Sequence, residues 1–265
     1  SWVASLYRQE PNGTIRRLTF DQDNNWCPNV MPDGRVMFLH WEYADITHYC
    51  SRILFTMNPD GTVQRAYYGS DSYWPNALFN ARVCPDNPDR FTAIVPGHHG
   101  QPRYGELVLF DINLGRKLAH GVVQRFPERG QKVEPIVRDR LADYSWPKFC
   151  HPWPLSQNYV VVAARPTEHD GWGLYLADVF DNLTPIVEDA EHLFFEPIPL
   201  QPVPQPRVIA SKVTPKDKTG LMKVTDVYEG LGLKGVPRGT VKALRIYTYS
   251  FAYRWMGGET DHHGL

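Results

Sequence analysis

The chain has 265 residues and carries 28 Lys and Arg against 29 Asp and Glu, so its formal net charge is −1. This balance argues against nucleic acid or an anionic membrane as a partner, because binding to either needs an excess of positive charge. No uninterrupted apolar run approaches the roughly 20 residues of a membrane span, and the opening SWVASLYRQE lacks the basic and apolar regions of a signal peptide.

A repeated segment opens the chain. LYRQEPNGTIRRLTF at 6–20 matches LFTMNPDGTVQRAYY at 54–68, and weaker copies follow at 106–118 and 173–186. Each copy predicts a strand, a tight turn and a returning strand, because Pro presets φ, Asn or Asp bonds its own backbone and Gly accepts a positive φ. Since the chain begins inside such a copy, we expect it to be a piece of a longer protein.

Between these copies lie the other strands of the repeating unit. PNVMPDGRVMFLHW at 28–41 predicts a second hairpin, and Trp26, Trp74 and Trp146 recur where a unit begins. Because they recur, we predict that these tryptophans pack between units. Four strands repeated about every 45 residues are typical of a β-propeller blade. The prediction for residues 1–213 is therefore an all-β fold, a β-propeller of about four blades or parts of blades that is incomplete within this chain.

The character of the sequence changes after the last of these copies. PIPLQPVPQPRVIA at 197–210 holds five prolines, which rules out a central strand and favours a polyproline II segment leading out of the propeller. Beyond it, alternating apolar residues at 221–228 and 240–251 predict two long strands joined by a Gly-rich connector. Residues 214–265 are therefore predicted to form a small additional β segment, the start of a second, mostly β, linking domain.

Several strings of the sequence together resemble the hydrazine synthase alpha-subunit-like proteins. The most specific lie at 31–42, 96–111 and 228–246, and they include the GHHG string and the segment VYEGLGLKGVPRGTVKALRI. The resemblance covers nearly the whole chain. It implies TolB-like propeller blades, a linking region and further haem c domains, in an exported, periplasmic protein. It also implies that the partners of this chain are other domains or subunits of a larger protein.

The same resemblance implies an oxidoreductase-like function, in which this portion is a scaffold and lines a haem or metal site. The sequence has no CxxCH motif, so haem c is expected only in a downstream region. We therefore predict no catalysis by this chain alone. Two alternatives stay open: a non-catalytic TolB-like propeller for protein–protein binding, and a carbohydrate-acting propeller with carboxylates converging on a central funnel. Asp33 and Asp60 belong to predicted turns, and Asp111 and Asp178 follow the repeated strands and are interpreted as part of the repeat instead.

His98 and His99 are adjacent in VPGHHGQ, at the string that matches the family pattern. Adjacent side chains on an extended backbone point to opposite faces, so both can hardly bind one metal ion. The two residues are candidate metal ligands or haem-facing side chains. The alternative is a pair of loop histidines satisfied by the backbone.

Cys150, His151 and His169 form the second candidate cluster. Cys150 and His151 lie at the start of a predicted blade, and His169 lies in a later loop. A thiolate combined with imidazoles suits zinc, so these side chains are candidates for a zinc site, with ordinary structural residues as the alternative.

The cysteines contain no CxxC pair. This spacing excludes a zinc ribbon, a thioredoxin-type motif and a c-type haem attachment site. The residues are either buried free thiols or partners in one or two disulfides of an exported protein. The four positions are Cys27, Cys50, Cys84 and Cys150.

Overall fold

The structure is a computed structural model in which the chain divides into two compact units. The larger unit is Ala4–Ser211, and the second takes in the chain on both sides of it. Within the described ranges, no helix has the length and apolar character that crossing a membrane would need. The described residues are 3–21, 23–41, 52–97, 103–214, 216–229 and 232–246.

Antiparallel sheets make up most of the larger unit. A hairpin of β1 (Tyr7–Gln9) and β2 (Ile15–Arg17) precedes three four-stranded sheets, in each of which neighbouring strands follow one another in the chain. A one-turn helix, α1 (Leu141–Tyr144), lies between the second and third sheets in the sequence. The first sheet contains β3 (Asn25–Val30), β4 (Val36–Trp41), β5 (Arg52–Met57) and β6 (Arg65–Tyr68), the second contains β7 (Phe79–Cys84), β8 (Asn87–Val95), β9 (Glu106–Asp111) and β10 (Val122–Phe126), and the third contains β11 (Lys148–Pro154), β12 (Tyr159–Arg165), β13 (Gly173–Asp178) and β14 (Leu183–Val187).

The two strongest copies of the repeat form equivalent strand pairs. β1 and β2 are joined by the turn at Gly13, and β5 and β6 by the turn at Gly61, with φ of 85° and 84° at the two glycines. In the second turn, the Thr62 N–H donates to Asp60 Oδ1 at 2.9 Å. The predicted turn chemistry is therefore confirmed. The nearly all-β architecture is like that of a β-propeller, whose blades are four-stranded meanders.

Large aromatic side chains fill the core between consecutive sheets. Phe110 of β9 stacks on Phe91 of β8 with ring centroids 4.8 Å apart. Tyr68, from β6 of the first sheet, meets Phe110 of the second at 4.9 Å. Trp26 of β3 likewise packs on Phe79 of β7 at 5.9 Å, which confirms its predicted role in packing between units. Such offset and edge-on pairs stabilise beyond the area they bury.

Backbone hydrogen bonds also join the second and third sheets. Gly105, just before β9, and Phe149 of β11 exchange two of them, with N–O distances of 3.0 and 2.9 Å. Trp146, which precedes β11, has a different role from Trp26. It is 37 % exposed and lies 4.2 Å from the Lys148 ammonium, so the prediction of packing between units is wrong for this tryptophan.

After β14 the chain continues as a segment without strands, residues 188–211, which we call the strap. The Phe194 N–H donates to the Trp172 carbonyl at 3.1 Å, next to the start of β13. The Arg207 N–H donates to the Pro32 carbonyl at 3.3 Å, in the turn between β3 and β4. The strap thus runs from the third sheet to the first, and its Pro-rich part forms no strand, as predicted.

The second unit corrects the prediction of a further β segment. No strand forms in its described residues, so the predicted strand at 221–228 is wrong, and so is the one at 240–251 as far as residue 246; the remainder lies outside the described residues. Alternating apolar residues make a strand only when a neighbouring strand and a covered face stabilise it. Leu221 is 100 % exposed and Ile246 is 69 % exposed, so neither segment has such a cover.

Candidate functional site

The first strand of each four-stranded sheet carries the same irregularity. The pairing register shifts within β3, β7 and β11, and one residue of each strand has a positive φ: Cys27 at 52°, Asn80 at 52° and His151 at 50°. A non-glycine residue in this region costs about 1–3 kcal/mol and persists only where the surrounding structure imposes it. Bulges are over-represented beside functional sites because they redirect side chains.

All three bulges line one pocket of about 220 Å³, which we call the bulge pocket. The Asn80 N–H donates to the Cys27 sulfur, so the bulges of the first and second sheets touch directly. The strap borders the pocket with Glu196, Pro197 and Ile198. The polar and aromatic side chains that line it are Asn29, Asn80, Arg82, His151, Trp153 and Glu196.

His151 is half-buried in the bulge pocket, with 30 % of its side chain exposed. Its Nε2 lies 3.7 Å from Glu196 Oε1, and its ring meets Phe195 edge-on at 6.1 Å. Within the described part of the chain, the buried Nδ1 has no hydrogen-bond partner. Burial lowers the pKa of His151, the nearby Arg82 lowers it further, and Glu196 opposes both. The imidazole is therefore held towards its neutral form, in which one ring nitrogen can accept a hydrogen bond.

Arg82 lies opposite, on β7, with its guanidinium 4.0 Å from the Trp153 ring. Burial lowers the pKa of Arg82. Among the described residues, no carboxylate lies within ion-pair distance of this guanidinium; its recorded contact is the face of Trp153. The pocket therefore contains a half-buried cation whose planar donors are available to a ligand.

A larger cavity of about 470 Å³ lies elsewhere, between β9, β10 and the loop that contains α1. Arg125 donates to Glu106 at 3.1 Å and also pairs with Glu128, so this guanidinium is already engaged by two carboxylates of the chain. Burial raises the pKa of Glu106, although Arg125 opposes this shift. We place the candidate site in the bulge pocket for two reasons. Three sheets converge there, and the Arg82 guanidinium in that pocket has no ion pair with a described residue.

Asp111 and Asp178, which follow two of the repeated strands, are turn residues. The Asn113 N–H donates to Asp111 Oδ1 at 2.9 Å, and the Phe180 N–H donates to Asp178 Oδ1 at 2.9 Å. Both carboxylates therefore cap the backbone two residues on. This role leaves them unsuited to the acid and base positions that a carbohydrate-acting propeller would need.

The structure separates the residues of the predicted zinc cluster. His151 lines the bulge pocket, Cys150 beside it is buried and 4 % exposed, and the His169 side chain is 86 % exposed in the loop after β12. In the part of the chain that the structure describes, no three His, Cys, Asp or Glu side chains gather closely enough to hold a metal ion. His98 and His99 lie outside the described residues, so a metal site there stays a prediction.

Sequence reasoning missed Asn80 and Arg82 as pocket residues. The available signal was positional, because Cys27, Asn80 and His151 occupy the same place in the first strand of each sheet. The residue types at these three positions differ, so an alignment of the repeats by residue type does not show that the positions are equivalent. A bulge is set by the backbone and leaves a weak trace in residue type.

The described cysteines Cys27, Cys84 and Cys150 carry free thiols, and Cys50 lies outside the described residues. Burial raises the pKa of Cys84 and of Cys150 to about 12. At pH 8 about one such thiol in ten thousand is ionised, and the thiolate is the reactive form. We expect iodoacetamide to alkylate both residues far more slowly in the folded protein than in denaturant, as measured for each cysteine by peptide mass spectrometry. Alkylation of folded Cys150 at the rate of a free cysteine would contradict this expectation.

Comparison with known proteins gives a structural relative at low sequence identity. No protein-family model matches the chain, and no curated protein matches it. Among solved structures, hydrazine synthase of Kuenenia stuttgartiensis is similar, with 16 % sequence identity, a TM-score of 0.50 and coverage of 70 % of this chain. The matched part is 22 % of the hydrazine synthase chain, so this chain spans about a fifth of that protein's length. At this identity the likeness concerns the fold, and the chain is a nearly all-β protein with a distant structural relation to hydrazine synthase.

Proposed function

We propose that this chain is the TolB-like propeller portion of an exported, haem-associated, oxidoreductase-like protein similar to the alpha subunit of hydrazine synthase. In that protein it acts as a scaffold, and its bulge pocket contributes side chains to the ligand-binding region. The observation that carries the proposal is the convergence of Cys27, Asn80 and His151, from three different sheets, on one pocket. The structural likeness to hydrazine synthase supports the choice of protein class.

The repetition of strain favours a binding role for the pocket. One left-handed residue in a strand is readily explained by local packing, whereas three at equivalent positions cost several times about 1–3 kcal/mol. The three left-handed residues border the bulge pocket, and one of them, His151, supplies an imidazole. The pocket also contains the Arg82 guanidinium, which has no ion pair with a described residue. Concave sites with a few convergent polar groups are the usual form of small-molecule sites.

The test uses the longer protein that contains this chain, prepared from haem-replete cells. We expect a haem c absorbance spectrum from the longer protein and no turnover by residues 1–265 alone. His151→Ala is expected to shift the haem midpoint potential or spectrum, while His169→Ala, at an exposed site, leaves both unchanged. A longer protein without haem would refute the proposed class, and equal behaviour of the two variants would refute the role of the pocket.

A second candidate function is protein–protein binding without chemistry. The strap favours it, because several large apolar side chains stand exposed along this segment. This reading predicts that a partner protein covers the strap and that the longer protein has no cofactor. The exposed residues are Leu193, Ile198, Leu200, Val203 and Val208.

A further inference from the structure

The strap brings a carboxylate to the edge of the bulge pocket. Glu196 is the acidic residue among those that line the pocket, and its Oε1 lies 3.7 Å from His151 Nε2. The strap holds this residue in a left-handed conformation, with φ of 53°. Its neighbours Pro197 and Ile198 also border the pocket, so the strap lies along one wall of it.

The pocket also contains donors that suit a carboxylate. The Arg82 guanidinium has no ion pair with a described residue, and it is fixed against the Trp153 ring at 4.0 Å. A guanidinium presents two parallel N–H groups that match the two oxygens of a carboxylate. The side-chain amides of Asn29 and Asn80 line the same space and supply neutral donors.

Glu196 itself is only loosely held. Its separation from His151 exceeds hydrogen-bonding distance, and 76 % of its side chain is exposed. Exposed ion pairs of this kind contribute little free energy, and Glu196 is not paired with Arg82, so its carboxylate acts on an incoming anion through the repulsion of like charges. The strap around it is tied by backbone bonds at Phe194 and Arg207, so Glu196 can move without release of the whole segment.

We propose that the bulge pocket is a carboxylate-binding site, in which Arg82 receives a small carboxylate ligand and the charge of Glu196, at the edge of the pocket, opposes its binding. The inference rests on the pocket named in the proposed function and adds the ligand class. A volume of about 220 Å³ suits a small molecule such as a short mono- or dicarboxylate. Trp153 shields the guanidinium from one side, which strengthens its hydrogen bonds to the ligand.

The test is titration of this chain with succinate at constant ionic strength, followed by the ring resonances of His151. We expect a saturable shift in the wild type and affinity about two- to five-fold tighter in Glu196→Gln, because a negative charge that repels the ligand is gone. Arg82→Gln is expected to weaken binding about ten-fold or more. Arg82→Lys keeps the positive charge and loses the planar guanidinium, so its affinity for succinate should lie between that of the wild type and that of Arg82→Gln.

Two control variants separate the local effect of Glu196 in the pocket from the effect of a change in the net charge of the chain. Glu191→Gln removes the same charge from an exposed position on the strap, and Arg129→Gln removes an exposed guanidinium; both should bind like the wild type. Equal affinity in wild type and Glu196→Gln, equal tightening in Glu191→Gln, or no saturable shift in Glu196→Gln would each overturn the proposal. If Arg82→Gln does not fold, the succinate affinities of Glu196→Gln and Glu191→Gln decide whether the proposal holds.

A second ligand distinguishes the source of the carboxylate. Tighter binding of succinate than of N-acetyl-glutamate amide indicates a free small molecule, and the reverse order indicates an acidic side chain of a partner. The outcome is independent of haem, since it is measured on this chain alone. If this chain binds carboxylates but the longer protein contains no haem, the proposed protein class is refuted and the carboxylate-binding site is supported. If the longer protein contains haem but this chain binds no carboxylate, the protein class is supported and the carboxylate-binding site is refuted.

Discussion

Replacement of Phe110 by alanine is expected to lower the free energy of unfolding by about 3–5 kcal/mol, the usual cost of removing a buried phenylalanine ring. Phe110 is fully buried, stacks on Phe91 at 4.8 Å and meets Tyr68 of the first sheet at 4.9 Å. Its removal opens a cavity between two sheets, and the flanking rings belong to rigid strands that close it poorly. Chemical denaturation followed by tryptophan fluorescence measures the loss.

Phe180→Ala is the matched control for this change. Phe180 lies in the turn between β13 and β14 and is 51 % exposed. Its replacement should change the free energy of unfolding by about 0.5 kcal/mol or less, as is usual at the surface. A loss below about 1 kcal/mol in Phe110→Ala would mean that the first and second sheets do not depend on this aromatic contact.

Gly34→Ala is expected to be the most disruptive change in a turn. Gly34 has φ of 87°, and a Cβ there would lie 1.8 Å from the Arg207 carbonyl oxygen of the strap. The new methyl group must therefore push the strap backbone away from the first sheet. We expect a loss of about 1–3 kcal/mol from overpacking, in addition to about 1–2 kcal/mol for the left-handed conformation. Trypsin cleavage after Arg207, followed over time, should become faster.

Gly13→Ala isolates the conformational part of this effect. Gly13 occupies the equivalent turn of the first hairpin, with φ of 85°, and a Cβ there meets no atom within 4 Å. The free energy of unfolding of Gly13→Ala should therefore fall only by the cost of the left-handed conformation, about 1–2 kcal/mol. Trypsin should cleave after Arg207 at the wild-type rate. Equal losses in the two variants would show that the strap does not rest on Gly34.

The turns and the strand order of the larger unit could be predicted from sequence because they depend on local chemistry. Gly61 and Asp60 form the turn that their letters predict, since φ and the backbone hydrogen bond are set within four residues. Trp26 packs between sheets as its recurrence suggested, whereas Trp146 does not. Recurrence indicates an equivalent chain position, and the surrounding side chains decide whether that position is buried.

The pocket and the second unit could not be predicted because they depend on residues distant in the chain. Arg82 and Glu196 meet the same cavity only through the placement of three sheets and the strap. The strand predicted at 221–228 had the correct alternation but found no neighbouring strand. Periodicity states that a segment can be a strand; it does not state what will pair with it. Among the predicted metal ligands that the structure describes, only His151 lines the bulge pocket, and its neighbour Cys150 is buried.

The paired backbone bonds between Gly105 and Phe149 bear on how the unit opens. In a linear array of repeats, an end unit can fray while the rest remains folded, because only side chains join it to its neighbour. Here the second and third sheets are joined by one antiparallel bridge with two backbone hydrogen bonds, so they cannot separate at this point without exposing the amides of Gly105 and Phe149. The amide protons of Gly105 and Phe149 should therefore exchange with deuterium through the same cooperative opening, with equal protection. Such coupling makes the two sheets a single foldon, although the sequence repeats as separate modules.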